Sequence, residues 1–393
     1  MSSVSREKML DRARSLVRVF SDRSASAEDN RMVSEESIQD LHGLGLWRVN
    51  QPKRVGGPEL DVQLLIEITA ILASGCASTG WVYVNLAVHH WMLSMWPPYG
   101  QSKVWNENPD ALIASSVIYP LGAAKKVKEG YLLSGRWPFC SGVNHSDWTI
   151  LGGLAESHDS QKAGEAKMFL VPTSDIEILD TWDVVGLAAT GSHDVQCTEL
   201  LVPVDMTLAA ADTRGGPTPG SELNPSPLYQ QSVGSLFPHL ISGVLLGVGE
   251  GMYDFCLAHL KAQNARTSGA RLAALSPVQA RLSEAGVHLS AARQLLLSNL
   301  KESQSIADAG KVPEIEDKLR WRRDGAFVAR LVGEAGRNLR RLMGSGSIFR
   351  RNAFQRMARD LDAGLTHAHV SWDINGPAFG RVALGLPPDN PNL

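Results

Sequence analysis

The chain has 393 residues, 44% of them hydrophobic, and a formal net charge of −3 at pH 7. That length can bury a large core and accommodate two or three domains, and the balanced charge gives nucleic acid nothing to grip. Cys76, Cys140, Cys197 and Cys256 are scattered with no CxxC pair, and no uninterrupted apolar run reaches bilayer length. Disulfide-scaffold, zinc-finger and membrane-spanning classes therefore find no support, and a cytoplasmic protein with no membrane partner is expected.

In chain order, residues 5–112 read as helical. Ser34-Glu35-Glu36-Ser37 precedes the apolar pattern Ile38, Leu41, Leu44, with carboxylates placed where a helix N-terminus favours them. Pro52 and Gly56-Gly57-Pro58 mark a loop. Val62–Ala73 is apolar at helical spacing, and Ser78-Thr79-Gly80-Trp81 opens a further helix reaching Trp91.

Residues 113–225 change character. The period falls towards two, and turn signals recur at Pro120-Leu121-Gly122, Glu129-Gly130, Gly152-Gly153 and Pro172-Thr173-Ser174, predicting an antiparallel β-domain. Residues 212–227 are Gly/Pro-rich and read as a connector. Residues 228–365 return to helix. Leu240–Leu260 is Gly-rich and tightly packable, Ser276-Pro277 opens the next helix, and Val312-Pro313-Glu314 starts another. Gly344-Ser345-Gly346-Ser347 breaks that helix, Phe354–Leu365 forms the last one, and Gly380–Gly385 reads as a tail. No fixed-period repeat is present.

The most informative stretch is residues 134–153, SGRWPFCSGVNHSDWTILGG. Trp137, Phe139 and Trp148 share it with small hydroxyl residues and glycines. Composition alone favours a core strand. A flat aromatic ligand would also suit it, with Phe139 as stacking surface and Ser141 and nearby backbone as hydrogen-bonding groups.

This run, SGRWPFCSG followed by H.DW, resembles the flavin-facing strand of the acyl-CoA dehydrogenase fold. It is most similar to the branch that uses reduced flavin and O2, the oxygenase components of two-component aromatic hydroxylases. Two further blocks resemble the same family: Gly186–Val195 followed by Val202-Pro203, and the N-terminal pattern of Leu44 to Gly57 with Ser78-Thr79-Gly80-Trp81-Val82. The resemblance spans the chain. It implies an α+β architecture of an N-terminal helical domain (1–112), a central antiparallel β-domain (113–225) and a C-terminal four-helix bundle (226–393), with a flavin between them.

Dehydrogenases of this fold take an α-proton with a carboxylate, usually a Glu near the C-terminus. Here the last Glu is Glu334, and the C-terminal position carries Thr366-His367-Ala368-His369. Phe237-Pro238-His239-Leu240, the other family position for the base, also lacks a carboxylate. An absent residue cannot act as a base, so acyl-CoA dehydrogenation is disfavoured. Arg359-Asp360-Leu361-Asp362-Ala363 leads to His367, expected on the same helical surface two turns on. The resemblance places such a His beside a substrate phenol, where imidazole has the intrinsic pKa to take the phenolic proton. Helix capping by His367 is the structural alternative. His369 fits the family offset less well.

By the same resemblance, Ser141 approaches flavin N5, where it would hold a C4a-hydroperoxide. His90 and Ser116 would face the aromatic substrate. Phe139 and Trp137 would wall the flavin, and Arg266 would reach its phosphate. The Gly344–Ser347 turn could offer backbone N–H groups across a subunit interface. GxGxxG and P-loop motifs are absent, so reduced FMN or FADH2 is expected from a separate NAD(P)H:flavin reductase, with O2 as co-substrate. His42, His145, His193 and His288 lack metal-ligand spacing, and no metal is expected. A homotetramer is implied by the family. Two alternatives stay open: oxidation of nitrogen or sulfur on the same fold, and a non-catalytic scaffold.

Overall fold

The computed structural model describes residues 5–156, 164–264 and 269–388. Five helices come first: α1 (Arg6–Asp29), α2 (Glu35–Gly43), α3 (Val62–Gly75), α4 (Ala77–Leu93) and α5 (Pro98–Trp105). Their starts are written locally. Ser5, Ser34 and Asp61 accept hydrogen bonds from Lys8, Ser37 and Leu64 N–H groups, satisfying donors that a helix leaves free. Helix α4 is apolar around nearly its whole circumference and is buried from Ala77 to Leu93 except at Asn85. Such a helix needs neighbours on every side, and it packs on α3, on α6 (Val233–Ala262) and on the first strand.

Eight strands follow among the described residues: β1 (Ile113–Ser116), β2 (Gly122–Val127), β3 (Gly130–Cys140), β4 (Trp148–Ala155), β5 (Glu165–Pro172), β6 (Glu177–Leu179), β7 (His193–Val202) and β8 (Thr207–Ala209). They make one sheet in the order β6-β7-β3-β2-β4-β5-β8, with β1 also paired to β4. The expectation of a purely antiparallel sheet is corrected: β1–β4 and β2–β4 are parallel. The β2–β3 hairpin is inserted between β1 and β4, so the chain re-enters beside β1 running the same way. Alternating hydrophobicity reports which face is buried, not strand direction.

Helices α6, α7 (Ser276–Asp308), α8 (Ile315–Met343) and α9 (Ala353–Leu365) follow. Helix α6 is long and apolar enough to cross a bilayer, but α3, α4, α7, α8 and α9 pack around it. It approaches α3 closely: a Cβ on Gly247 would lie 2.1 Å from the Ala70 carbonyl oxygen. The expected tail is also corrected. Trp372–Ala383 is a further helix, α10, lying on α8, with Pro377 inside it. Gly376, Pro377 and Gly380 break the helical signal in the sequence, while packing of Phe379 under Arg323 and of Trp372 beside Phe327 and Arg330 supplies the stability.

Candidate functional site

Strand β3 loses register with β7 between Trp137 and Cys140. Within that irregularity Phe139 takes φ 63°, a left-handed conformation in which a bulky side chain is strained by about 1–3 kcal/mol. The strain turns its ring outward: Phe139 is 62% exposed, whereas Trp137, two residues earlier, is fully buried. Trp182 meets Phe139 edge-on with ring centroids 6.1 Å apart. An exposed aromatic held by a strained backbone is a platform, not core.

Beside it, Ser141 sits in an ordered row. Trp81 Nε1 of α4 donates to Ser141 Oγ (3.0 Å). Ser141 Oγ lies 2.8 Å from Ser192 Oγ, and Ser192 Oγ lies 2.7 Å from Thr190 Oγ1. Thr190 Oγ1 donates to the Leu187 carbonyl (2.9 Å), and Leu187 N–H donates to Asp360 Oδ1 of α9 (2.7 Å). The row ties α4, β3, the 187–192 loop and α9 together.

His367 joins the group, its ring 5.7 Å from Trp81 in an edge arrangement. It is not on the α9 surface as the sequence suggested. The helix stops at Leu365, and His367 is the N-cap of a short turn, accepting the His369 backbone N–H at Nδ1 (3.2 Å). Because Nδ1 accepts, the neutral ring carries its proton on Nε2, and that edge is a donor. Burial holds the His367 pKa down to about 4, so the ring is neutral at pH 7. His369 stacks on His367 at 5.3 Å and lies 4.6 Å from Phe237; burial, then the neighbouring His367, push its pKa down to about 3.

The other predicted residues are distributed differently. His90 is fully buried near the end of α4, stacked on Trp105, and its Nδ1 accepts from Trp105 Nε1 (3.2 Å) and Gln51 Nε2 (3.3 Å). Its Nε2 is buried with no partner. Nine residues of helix, roughly 14 Å of rise, separate it from Trp81. Ser116 Oγ donates to the Pro138 carbonyl (2.7 Å) and so anchors the residue preceding Phe139. Trp137 does not join the group: its Nε1 donates to the Gly152 carbonyl (2.7 Å) inside the sheet. Ser347 Oγ donates to the Gly344 carbonyl (2.7 Å), which closes the turn after α8 on itself. Arg266 lies outside the described residues. Thr190, Ser192 and Asp360 were not assigned roles from sequence, although Thr190 and Ser192 lie within a stretch that carried the resemblance.

A cavity of about 830 Å³ lies elsewhere, between Tyr99, Trp148, Pro172–Asp175 and Leu200–Pro203, and contains none of these residues. The Trp81 group is the stronger candidate because buried polar atoms with defined protons converge there. Among the described residues, no set of three His, Cys, Asp or Glu side chains could hold a metal.

Comparison with known proteins decides the class. The chain is 33% identical over 374 residues to the flavin-dependent monooxygenase oxygenase subunit HsaA of Mycobacterium tuberculosis, covering 93% of each. This chain belongs to the flavin-dependent monooxygenase family of oxygenase components. The crystal structure of HsaA from M. tuberculosis superposes with a TM-score of 0.93, covering 99% of this chain and all of that one at 30% identity. The FADH2-dependent resorcinol hydroxylase oxygenase component of a Rhizobium species is 30% identical over 97% of this chain and 95% of its own length. XiaF from Streptomyces, solved with FADH2 and glycerol, gives a TM-score of 0.90 at 25% identity, covering 99% of this chain and 98% of that one. Residues 239–372 match the family described as acyl-CoA dehydrogenase, C-terminal domain. Like its relatives, this oxygenase component is a flavin-dependent enzyme, and its residues suit the cofactor. Phe139 offers an exposed aromatic face, Ser141 a polarised hydroxyl and His367 an N–H donor, while His90 Nε2 is an orphaned polar atom for a ligand to satisfy.

Proposed function

We propose that this oxygenase component takes reduced FMN or FADH2 from a separate NAD(P)H:flavin reductase and adds one oxygen atom of O2 to a phenolic or other aromatic ring. The observation that carries this reading is that Ser141 and His367 both meet Trp81, one by a hydrogen bond to its indole N–H and the other by an edge contact with its ring. No carboxylate competes for the role of base there. Asp360 accepts from Leu187, and Asp362 pairs with Arg340 at 2.7 Å. The named relatives act in the same sense, one of them on resorcinol.

The bound flavin supplies the electrons that activate O2. The chain supplies the rest. Phe139 gives the ring a surface, and Ser141 fixes one edge of it. His367, neutral and protonated on Nε2, donates to the substrate's phenolic oxygen and so stabilises the phenolate, the form whose ortho carbon is electron-rich, once the phenolic proton has passed to solvent. This role replaces that of a proton acceptor, because the ring's lone pair already serves the His369 amide. His90 Nε2–H and Ser116 face the aromatic substrate, and burial of the group excludes water. The helical segment 1–112, the β-rich segment 113–225 and the bundle 226–393 act as three domains around the flavin. The protein works as a homotetramer in which the Gly344–Ser347 turn contacts cofactor across a subunit boundary.

The test is to incubate the protein with a generic flavin reductase, NADH and a panel of phenols, and to read product mass. Products heavier by one oxygen support the reading. Consumption of an acyl-CoA without oxygen uptake would sink it.

A further inference from the structure

Between Trp81 and Leu187 the buried hydroxyls of Ser141, Ser192 and Thr190 form a row with an obligate donor at one end and an obligate acceptor at the other. An indole N–H can only donate, and a carbonyl oxygen can only accept. Four bonds of 3.0, 2.8, 2.7 and 2.9 Å join the five groups. All four form together only if the protons run one way: Trp81 to Ser141, Ser141 to Ser192, Ser192 to Thr190, Thr190 to the Leu187 carbonyl. Turning Ser141's proton outward costs one buried bond: either the bond to Ser192 is lost, or Ser192 and Thr190 turn as well and the bond to Leu187 is lost.

The acceptor end is rigid. Leu187 takes φ 56°, its N–H is held by Asp360, and its carbonyl also receives the Thr190 N–H (3.1 Å) and Trp182 Nε1 (3.2 Å). All members of the row are buried. Ser141 therefore donates inward, accepts from Trp81, and has only a lone pair left for the cleft.

We propose that Thr190 and Ser192 are positioning residues that lock the Ser141 hydroxyl as a hydrogen-bond acceptor and so make the site prefer reduced over oxidised flavin. The proposal rests on the reading above that Ser141 meets N5 of the ring. Reduced flavin carries N5–H, which satisfies that lone pair. Oxidised flavin presents a lone pair at N5, which faces Ser141's own unless the row gives up one buried bond. One such bond corresponds to a preference of several-fold, up to about tenfold.

The experiment compares dissociation constants of reduced FMN and FADH2, measured anaerobically, with those of oxidised FMN and FAD. It uses the native chain and the variants Ser192→Ala, Thr190→Val, Thr190→Ser and Ser141→Ala. Ser192→Ala and Thr190→Val free the Ser141 proton to point outward, so the preference should shrink several-fold, chiefly through tighter binding of oxidised flavin. Thr190→Ser keeps the row and should keep the preference. If Ser141→Ala leaves both affinities unmoved, Ser141 does not meet the flavin and the site reading fails. If Ser141→Ala changes them but Ser192→Ala and Thr190→Val keep the native ratio, the row is overturned and the site reading stands. A neutron structure of the flavin-free native protein tests the same point without a variant: the Ser141 deuteron is expected on the Ser192 side, and a deuteron directed into the cleft would overturn the proposal.

Discussion

Leu187 donates its backbone N–H to the carboxylate of Asp360 across 2.7 Å, joining the loop before β7 to helix α9 over a sequence separation of 173 residues. Burial pushes the Asp360 pKa up to about 6, against a bond from Leu187 that lowers it; Glu28 adds to the rise, and Arg359 and Arg356 oppose it.

A carboxyl whose folded pKa lies above its unfolded value stabilises the fold most when protonated. That stability is fully present below the unfolded value of 3.8 and is lost as pH rises through about 6. Asp360→Asn keeps an oxygen for Leu187 and carries no charge at any pH. The gap between 3.8 and about 6 corresponds to about 3 kcal/mol at pH 8. The stability of the Asn variant relative to the native chain should therefore fall by roughly 1–2 kcal/mol between pH 8 and pH 5, read from urea midpoints. A gap independent of pH would mean that Arg356 and Arg359 keep the buried carboxylate charged throughout.

Five histidines, three of them buried (His89, His90, His239) and two half-buried (His367, His369), act in the opposite sense. Burial lowers His89 and His367 to about 4, and His90, His239 and His369 to about 3. Each takes up a proton near pH 6.5 when unfolded but not when folded, so the stability they confer is present above 6.5 and lost as pH falls. By pH 5 the combined loss is on the order of 10 kcal/mol, comparable with the whole stability of a domain. Cooperative unfolding is expected near pH 5, followed by circular dichroism. A chain still folded at pH 4 would show that these rings protonate without leaving their sites.

His367 gives a test of donor against base. A donor that is neutral above about pH 5 adds no inflection to the rate between pH 6 and 8. His367→Ala should slow hydroxylation by about a hundredfold with reduced-flavin affinity retained, and His367→Asn should recover part of the loss because an amide can donate. A rate rising through pH 6–7 in the native chain, with Asn no better than Ala, would restore the role of proton acceptor.

The order of helices, strands and helices was legible because apolar periodicity and caps are local, as at Ser34 and Asp61. The stretch around Phe139 and Ser141 was legible because its residue types are unusual together. Three things were not. Strand direction at β1 and β4 depends on where the β2–β3 hairpin is inserted. Helix α10 depends on contacts with α8 that outweigh its glycines and proline. The row from Trp81 to Asp360 joins four separate places in the chain, and ordinary serines and threonines gain a role only once the loop at Leu187 brings them within 3 Å of one another.

The structure separates the two indoles Trp137 and Trp81. Trp137 Nε1 serves the Gly152 carbonyl within the sheet, whereas Trp81 Nε1 serves Ser141. Trp137→Phe should lower stability by about 1–3 kcal/mol, since it leaves a buried carbonyl short of its donor, and should leave flavin affinity unchanged. Trp81→Phe removes the first donor of the hydroxyl row while an aromatic ring still faces His367. Its effect should fall on reduced-flavin binding, by several-fold, and on stability by about 1 kcal/mol. Isothermal titration with anaerobic reduced flavin, paired with urea denaturation of the same two variants, distinguishes them. Equal loss of flavin affinity in both would place Trp137 back in the cofactor wall, because a purely structural indole in the sheet has no path to the ring that avoids Phe139.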